Sequence, residues 1–167
     1  MKILFIQNRI LFPTNTGGRI RTLNVLRYLA KWHDVTYLCN LEVGEESHCD
    51  AMREVGLKLE TIPWKSPALG ELKFYFALAL NMFSHLPFNV EKDNNPALRA
   101  RAEQLVVQEN YDLVICDFIH MVPIAKELAC RGSLLFQHNV EAQIFERYVK
   151  TASNWLRRAV MSMQWKK

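Results

Sequence analysis

Three short stretches of this sequence hold groups suited to chemistry on a charged or hydroxyl-rich ligand. The first, residues 8–18, is polar and carries Pro13, Asn15 and the adjacent pair Gly17-Gly18, with Arg19 and Arg21 just beyond. Paired glycines let a ligand approach the backbone closely and tolerate positive φ. A helix starting there also presents unsatisfied N–H groups and a partial positive charge, which together favour phosphate. The competing reading is an ordinary strand-to-helix turn. The second stretch, Asp117-Phe118-Ile119-His120, offers a carboxylate and an imidazole. His120 is suited to hydrogen-bonding a sugar or phosphate oxygen, or to sharing a proton with one. Against that stands a local role, with Asp117 capping the next helix and His120 packing nearby. The third stretch, Gln137-His138-Asn139-Val140-Glu141, groups polar side chains where a helix is expected to begin. Asn139 is a good N-cap there and Glu141 complements the helix dipole, which leaves His138 as the stronger candidate for ligand contact.

For these stretches to act together, regular elements must carry them to one place. Residues 3–6 and 113–116 are continuous apolar runs, the pattern of parallel strands buried on both faces. Residues 35–39, 57–62 and 134–136 read as further strands; 57–62 alternates like a strand near an edge and closes at Pro63. Helical periodicity fills the intervals. It covers residues 20–30, an exposed helix over 45–55 stopped by Gly56, an aromatic-rich helix over 69–86, an amphipathic helix over 96–108 with Pro96 near its start, and a short helix over 122–129. Two more helices are expected over 140–148 and from 153 onward. Alternation of strand and helix implies parallel pairing through right-handed crossovers. The expected class is α/β: a doubly wound, mostly parallel, Rossmann-like sheet with helices on both faces. Ligands of such sheets bind beyond the carboxyl ends of the strands, where all three stretches are expected to meet.

Composition narrows the function classes. The 167 residues are 50% hydrophobic and 23% charged, the balance of a soluble globular domain. A net charge of +4, dispersed along the chain, lacks the dense basic patch of a nucleic-acid binder. It leaves room for weak attraction to anionic membranes or phosphate-bearing ligands. Cys39, Cys49, Cys116 and Cys130 form no C-x-x-C pair and read as reduced, mostly buried thiols of a cytoplasmic protein. His and Cys do not cluster at ligand spacing, so no metal is expected. Neither G-x-G-x-x-G nor G-x-x-x-x-G-K-[ST] occurs, and Cys39-Asn40 stands where a dinucleotide binder places an acidic residue. Two apolar features have two readings each. Residues 74–80 are apolar all round, as for a helix buried under other structure or a surface that takes a lipid-linked acceptor or touches a membrane. The last helix mixes Trp155, Leu156, Val160, Met163 and Trp165 with Arg157, Arg158, Lys166 and Lys167. It reads as surface that packs against further sequence, or as an interfacial membrane helix.

In order, the chain's pieces resemble glycosyltransferase family 4. The carriers are the apolar strand at 3–6, the loop Pro13-Thr14-Asn15-Thr16-Gly17-Gly18, a helix rich in Arg and Leu, and His33-Asp34-Val35-Thr36. Gln137-His138-Asn139-Val140-Glu141 followed by Phe145-Glu146-Arg147-Tyr148 looks like a segment of bacterial members that build exopolysaccharide or lipopolysaccharide. The resemblance implies a GT-B enzyme of two Rossmann-like domains, the N-terminal one holding the acceptor and the C-terminal one the nucleotide-sugar. Transfer would retain anomeric configuration and need no metal or cofactor. By that resemblance Gly17 and Gly18 approach the donor diphosphate and His120 lies near the transferred sugar. Residues 1–150 would be the acceptor-side domain and 151–167 a helix leading toward a donor domain, whose E-x₇-E element the sequence does not contain; without it no transfer is expected. The partners implied are a nucleotide-sugar donor and a glycan or lipid-linked acceptor, with peripheral contact at the inner face of the membrane. Two alternatives stay open: half of a GT-B-type sugar-nucleotide 2-epimerase, and a non-catalytic Rossmann-like binding domain.

Overall fold

The computed structural model describes residues 1–137 and 139–167. In chain order the elements are β1 (Lys2–Gln7), α1 (Gly17–Leu29), β2 (Asp34–Leu41), α2 (Cys49–Arg53), β3 (Lys58–Pro63), α3 (Leu72–Asn81), α4 (Phe88–Glu91), α5 (Pro96–Glu109), β4 (Leu113–Asp117), α6 (Val122–Ala125), β5 (Ser133–Phe136), α7 (Glu141–Thr151) and α8 (Trp155–Trp165). They form two compact units. A sheet unit comprises Met1–Ser66 and Asp93–Phe136, and a helical unit comprises Pro67–Lys92 and Gln137–Lys167.

The sheet unit holds five strands in the order β3-β2-β1-β4-β5. All neighbours are parallel, with Ile3 opposite both Val35 and Leu113. The chain winds outward from β1 to β3, returns to the far side of β1 as β4, and continues outward. Alternate residues of each central strand serve opposite cores. On one face Phe5, Tyr37 and Ile115 pack with Leu23 and Leu26 of α1 and Met52 of α2. On the other, Leu4, Ile6 and Val114 pack with Leu98 and Leu105 of α5 and Ile124 of α6. This is why the strand sequences are apolar without alternation: both faces are covered. The doubly wound class expected from the sequence is the one observed.

Local differences have local causes. Over residues 45–55 a 3₁₀ turn, Glu46–His48, precedes the five-residue α2. The acids that would have extended the helix instead close the turn before it, Glu45 accepting from the amide of Glu42 at 3.2 Å and Glu46 from that of Gly44 at 2.8 Å. One side of the helix is buried, at Cys49 and Met52, while Asp50 and Arg53 stay exposed. Gly56 follows it with φ +88°, the left-handed conformation that favours glycine. A second 3₁₀ turn, Ile119–Met121, leads into α6, which is shorter than the helix expected over 122–129. α5 starts as its sequence implies, with the side chain of Asn95 accepting from Ala97 N and Pro96 in the first turn.

The helical unit is held by a polar centre. Gln164 of α8 accepts from the amide of Phe88 at 2.6 Å and donates to Asn81 Oδ1 at 2.8 Å, and Asn81 donates to Leu86 O at 2.9 Å. Asn81 also donates to Glu91. Phe88 meets Phe74 edge-on at 5.1 Å. Among the described residues, only Phe88, Val90 and Ala152 of this unit are buried apolar side chains. The sheet unit closes at Phe136, so residues 137–150, expected to continue the Rossmann-like domain, group with the terminal helix instead.

Candidate functional site

The reversal of winding between β1 and β4 opens a crevice at their carboxyl ends, the usual ligand position of such sheets. The loop after β1 folds on itself there. Thr16 caps α1, its hydroxyl accepting from Arg19 N at 3.4 Å and its carbonyl from Ile20 N at 3.1 Å. Arg19 in turn donates to Pro13 O at 3.1 Å. With those amides engaged, the first-turn donors that a ligand at this helix end would meet belong to Gly17 and Gly18. A cavity of about 190 Å³ lies at this end, lined among others by Asn8, Arg9, Thr16, Gly18, Arg19 and Phe118. A Cβ on Gly18 would sit 3.3 Å from Cζ of Phe118, so the missing side chain is what admits that ring.

Beside the cavity, β1, β2 and β4 converge on one buried carboxylate. Asp93 receives Asn8 Nδ2 at 2.9 Å and contacts His120 Nδ1 at 3.0 Å, while its carbonyl accepts from Asn40 Nδ2 at 3.2 Å. Asn40 Oδ1 accepts from Asn95 at 2.8 Å. The Asp93 side chain is 3% exposed and that of His120 18%. This contact occupies Nδ1 and holds the ring, which leaves Nε2 as the nitrogen through which His120 can engage a substrate. Sequence reasoning did not single out Asp93. Its only signal is a position two residues before the Asn95-Pro96 helix start, which shows that it precedes α5 but not what it faces.

Asp117 takes another direction from the one expected. It is fully buried, accepting from Thr22 Oγ1 at 2.8 Å and from Gln7 Nε2, so it ties β4 to β1 and α1 and does not face the cleft. Nor does it cap a helix. The backbone turns sharply at Phe118, where φ is 61° and ψ 162°. That region is essentially restricted to glycine and costs a bulky residue about 1–3 kcal/mol. Phe118 N donates to Phe136 O at 3.0 Å, and its carbonyl accepts from Cys116 Sγ at 3.3 Å, which pins the kink. The kink separates the paths of Asp117, directed into the core, and His120, directed to Asp93.

The remaining candidates divide. Asn15 is exposed on the loop, its amide bonded to Pro13 O at 2.9 Å. Arg21 does not line the cavity; its guanidinium lies over the ring of Phe136 at 5.9 Å. Asn139 and Glu141 belong to the helical unit. Asn139 does not cap α7: Val140 occupies that position with no side-chain bond, and Glu141 supplies the acid of the first turn. His138 lies outside the described residues. The four cysteines carry free thiols. Burial, chiefly, and the neighbouring Asp117 push the Cys116 thiol up to about 12, and burial likewise raises Cys39 well above the usual thiol range.

The geometry defines a doubly wound, Rossmann-like α/β unit whose polar side chains gather at the switch point of the sheet. No protein-family model matches the chain, and no curated protein sequence matches it.

Proposed function

We propose that the chain is the acceptor-side domain of a retaining, GT-B-type glycosyltransferase that moves a sugar from a nucleotide-sugar to a glycan or lipid-linked acceptor in cell-surface polysaccharide synthesis. The observation that carries this reading is the placement of the α1 amino end and the His120–Asp93 pair at one switch point. Breaking a glycosyl–phosphate bond builds negative charge on the diphosphate and positive charge on the sugar. The amides of Gly17 and Gly18 and the α1 dipole suit the first charge, acting as preorganised donors. His120, oriented through Nδ1 by Asp93, suits a hydroxyl of the sugar or acceptor through Nε2. The resemblance to glycosyltransferase family 4 supports the same assignment on the loop from Pro13 to Gly18. Transfer then requires the donor-holding domain that such enzymes carry C-terminal to this one.

Calorimetry and donor-turnover assays with UDP, GDP and their common sugars test the reading, on this chain and on the product of its complete reading frame. Turnover by the complete product is expected, and His120→Ala is expected to lower it by about 10²–10⁴-fold. Gly18→Val, which drives a branched side chain into Phe118, is expected to weaken donor binding. Indifference of the complete product to every sugar nucleotide, or tight binding of a dinucleotide by this chain, would overturn the assignment.

A further inference from the structure

Side chains of α3, α4, α7 and α8 line a cavity of about 550 Å³ inside the helical unit, within the size range of small-molecule sites. Phe74, Tyr75, Phe88 and Phe145 bring four rings to its wall, and Leu78, Val160 and Met161 add aliphatic surface. Phe74 meets Phe88 edge-on at 5.1 Å and Tyr75 at 5.5 Å. Gln164 also lines the cavity, but both ends of its amide are engaged, by Phe88 N and by Asn81 Oδ1. Water gains little in such a space, because a buried water needs about two to four polar partners. Among the described lining residues none is acidic, and Arg157 is the single charged one. Its backbone amide donates to Asn154 Oδ1 at 2.8 Å, while its guanidinium has no partner among the described residues. The unit as a whole has eight Lys and Arg against four Asp and Glu, whereas the sheet unit has thirteen of each. The outer side of α3 takes no part in the cavity; Leu72, Phe76 and Leu80 form an exposed stripe there, with exposed Phe83 just beyond.

We propose that this cavity is a binding site for a small aromatic carboxylate. The ring of the ligand lies among Phe74, Phe88 and Phe145, and its carboxylate meets Arg157, whose exposure sets it at the cavity's mouth. The chemistry of the wall selects the class. Four aromatic side chains favour a flat ring, which gains edge-to-face and offset contacts beyond simple area burial. A planar carboxylate matches the donor fork of a guanidinium, and the positive excess of the unit draws an anion toward it. A cationic ligand finds no acid to meet it there, and a sugar would leave hydroxyls unpaired against the apolar wall. Asn8, Asp93 and His120 belong to the sheet unit, so this site is built from other residues than the one proposed for transfer and does not rest on that reading.

Calorimetric titration of the full chain with three probes tests this without any sugar nucleotide. Naphthoate carries both the ring and the charge, naphthalenemethanol the ring alone, and octanoate the charge on an aliphatic body. Naphthoate is expected to bind saturably at a single site, with the alcohol weaker by about tenfold or more for want of the ion pair. Octanoate is expected to be weaker by about tenfold for want of ring contacts. Arg157→Gln should reduce naphthoate affinity by about tenfold or more and leave that of naphthalenemethanol unchanged. Val160→Trp, which fills the cavity, should abolish binding of both, whereas Phe76→Ser/Phe83→Ser on the outer stripe should change neither. Arg157 is exposed, so its variant should keep the wild-type circular dichroism; should Val160→Trp misfold, the three probes and Arg157→Gln still decide. Absence of saturable naphthoate binding, equal affinity for the alcohol or for octanoate, or loss of binding in the stripe variant overturns the proposal.

Discussion

The sheet unit and the helical unit solve the problem of apolar residues in opposite ways. In the first, every central strand is covered twice, and Leu4, Phe5, Ile6 and Leu38 have no exposed surface. In the second, a polar centre of Asn81, Gln164 and the Phe88 amide holds the helices while Leu72, Phe76 and Phe83 face outward. Charge follows the same division, balanced in the sheet unit and entirely positive in excess in the helical one. An apolar side chain on the central strands is therefore core, whereas one on the outer stripe of α3 is surface, and its energetic worth should differ accordingly.

Substitutions can break that contrast. The largest effect is expected from Phe5→Ala, which removes a ring stacked at 5.8 Å on Tyr37 in the buried core and should cost about 3–5 kcal/mol. Phe83→Ala, the same chemical change at 89% exposure, should stay within about 0.5 kcal/mol. Equal shifts in urea midpoint would refute the distinction. Next comes Asp117→Ala, which removes the carboxylate that accepts from Gln7 and Thr22 inside the sheet unit; a loss of roughly 2–3 kcal/mol is expected by denaturant titration. A near-neutral result would mean that Asp117 is no pin and would return it to the ligand candidates. Gln164→Ala should cost about 1–2 kcal/mol, with faster hydrogen exchange confined to the helical unit. Uniform loss of protection across β1 and β4 would show that the two units open together.

A pH dependence is also expected. The Cys116 thiol, held near 12 when folded, has an ordinary value of 9.0 when released. Its raised folded value means that its contribution is complete below pH 9.0 and is lost as pH rises toward 12. The unfolding midpoint of Cys116→Ala should therefore fall less steeply over that window than that of the wild type. Parallel slopes would show that Cys116 does not drive the alkaline loss.

The sheet was legible because its physics is periodic. Continuous apolar runs at β1 and β4 announce burial on both faces, and Asn95-Pro96 and Gly56 mark helix ends by local chemistry alone. The site was legible only as far as topology reaches. That residues after β1 and β4 gather at one edge follows from parallel winding, and Gly18 and His120 do so. What each side chain does there was not legible, because hydrogen-bond partners lie far away in sequence: Asp93 is 85 residues from Asn8 and 27 from His120. Asp117 was misjudged for the same reason. A carboxylate at a strand end looks alike whether the chain keeps straight or kinks, and the kink falls on Phe118, where no glycine announces it. The helical unit was the least legible, since it joins two segments separated by α5, β4, α6 and β5.

That separation acts on the nascent chain. α3 leaves the ribosome about 80 residues before α8, which supplies Gln164 to its end. At roughly 5–20 residues per second, translation leaves Phe74 and Leu78 without their eventual neighbours on α8 for about 4–17 s. During that interval the aromatic helix is a hydrophobic hook, open to a chaperone or a lipid surface before the segment that closes behind it exists.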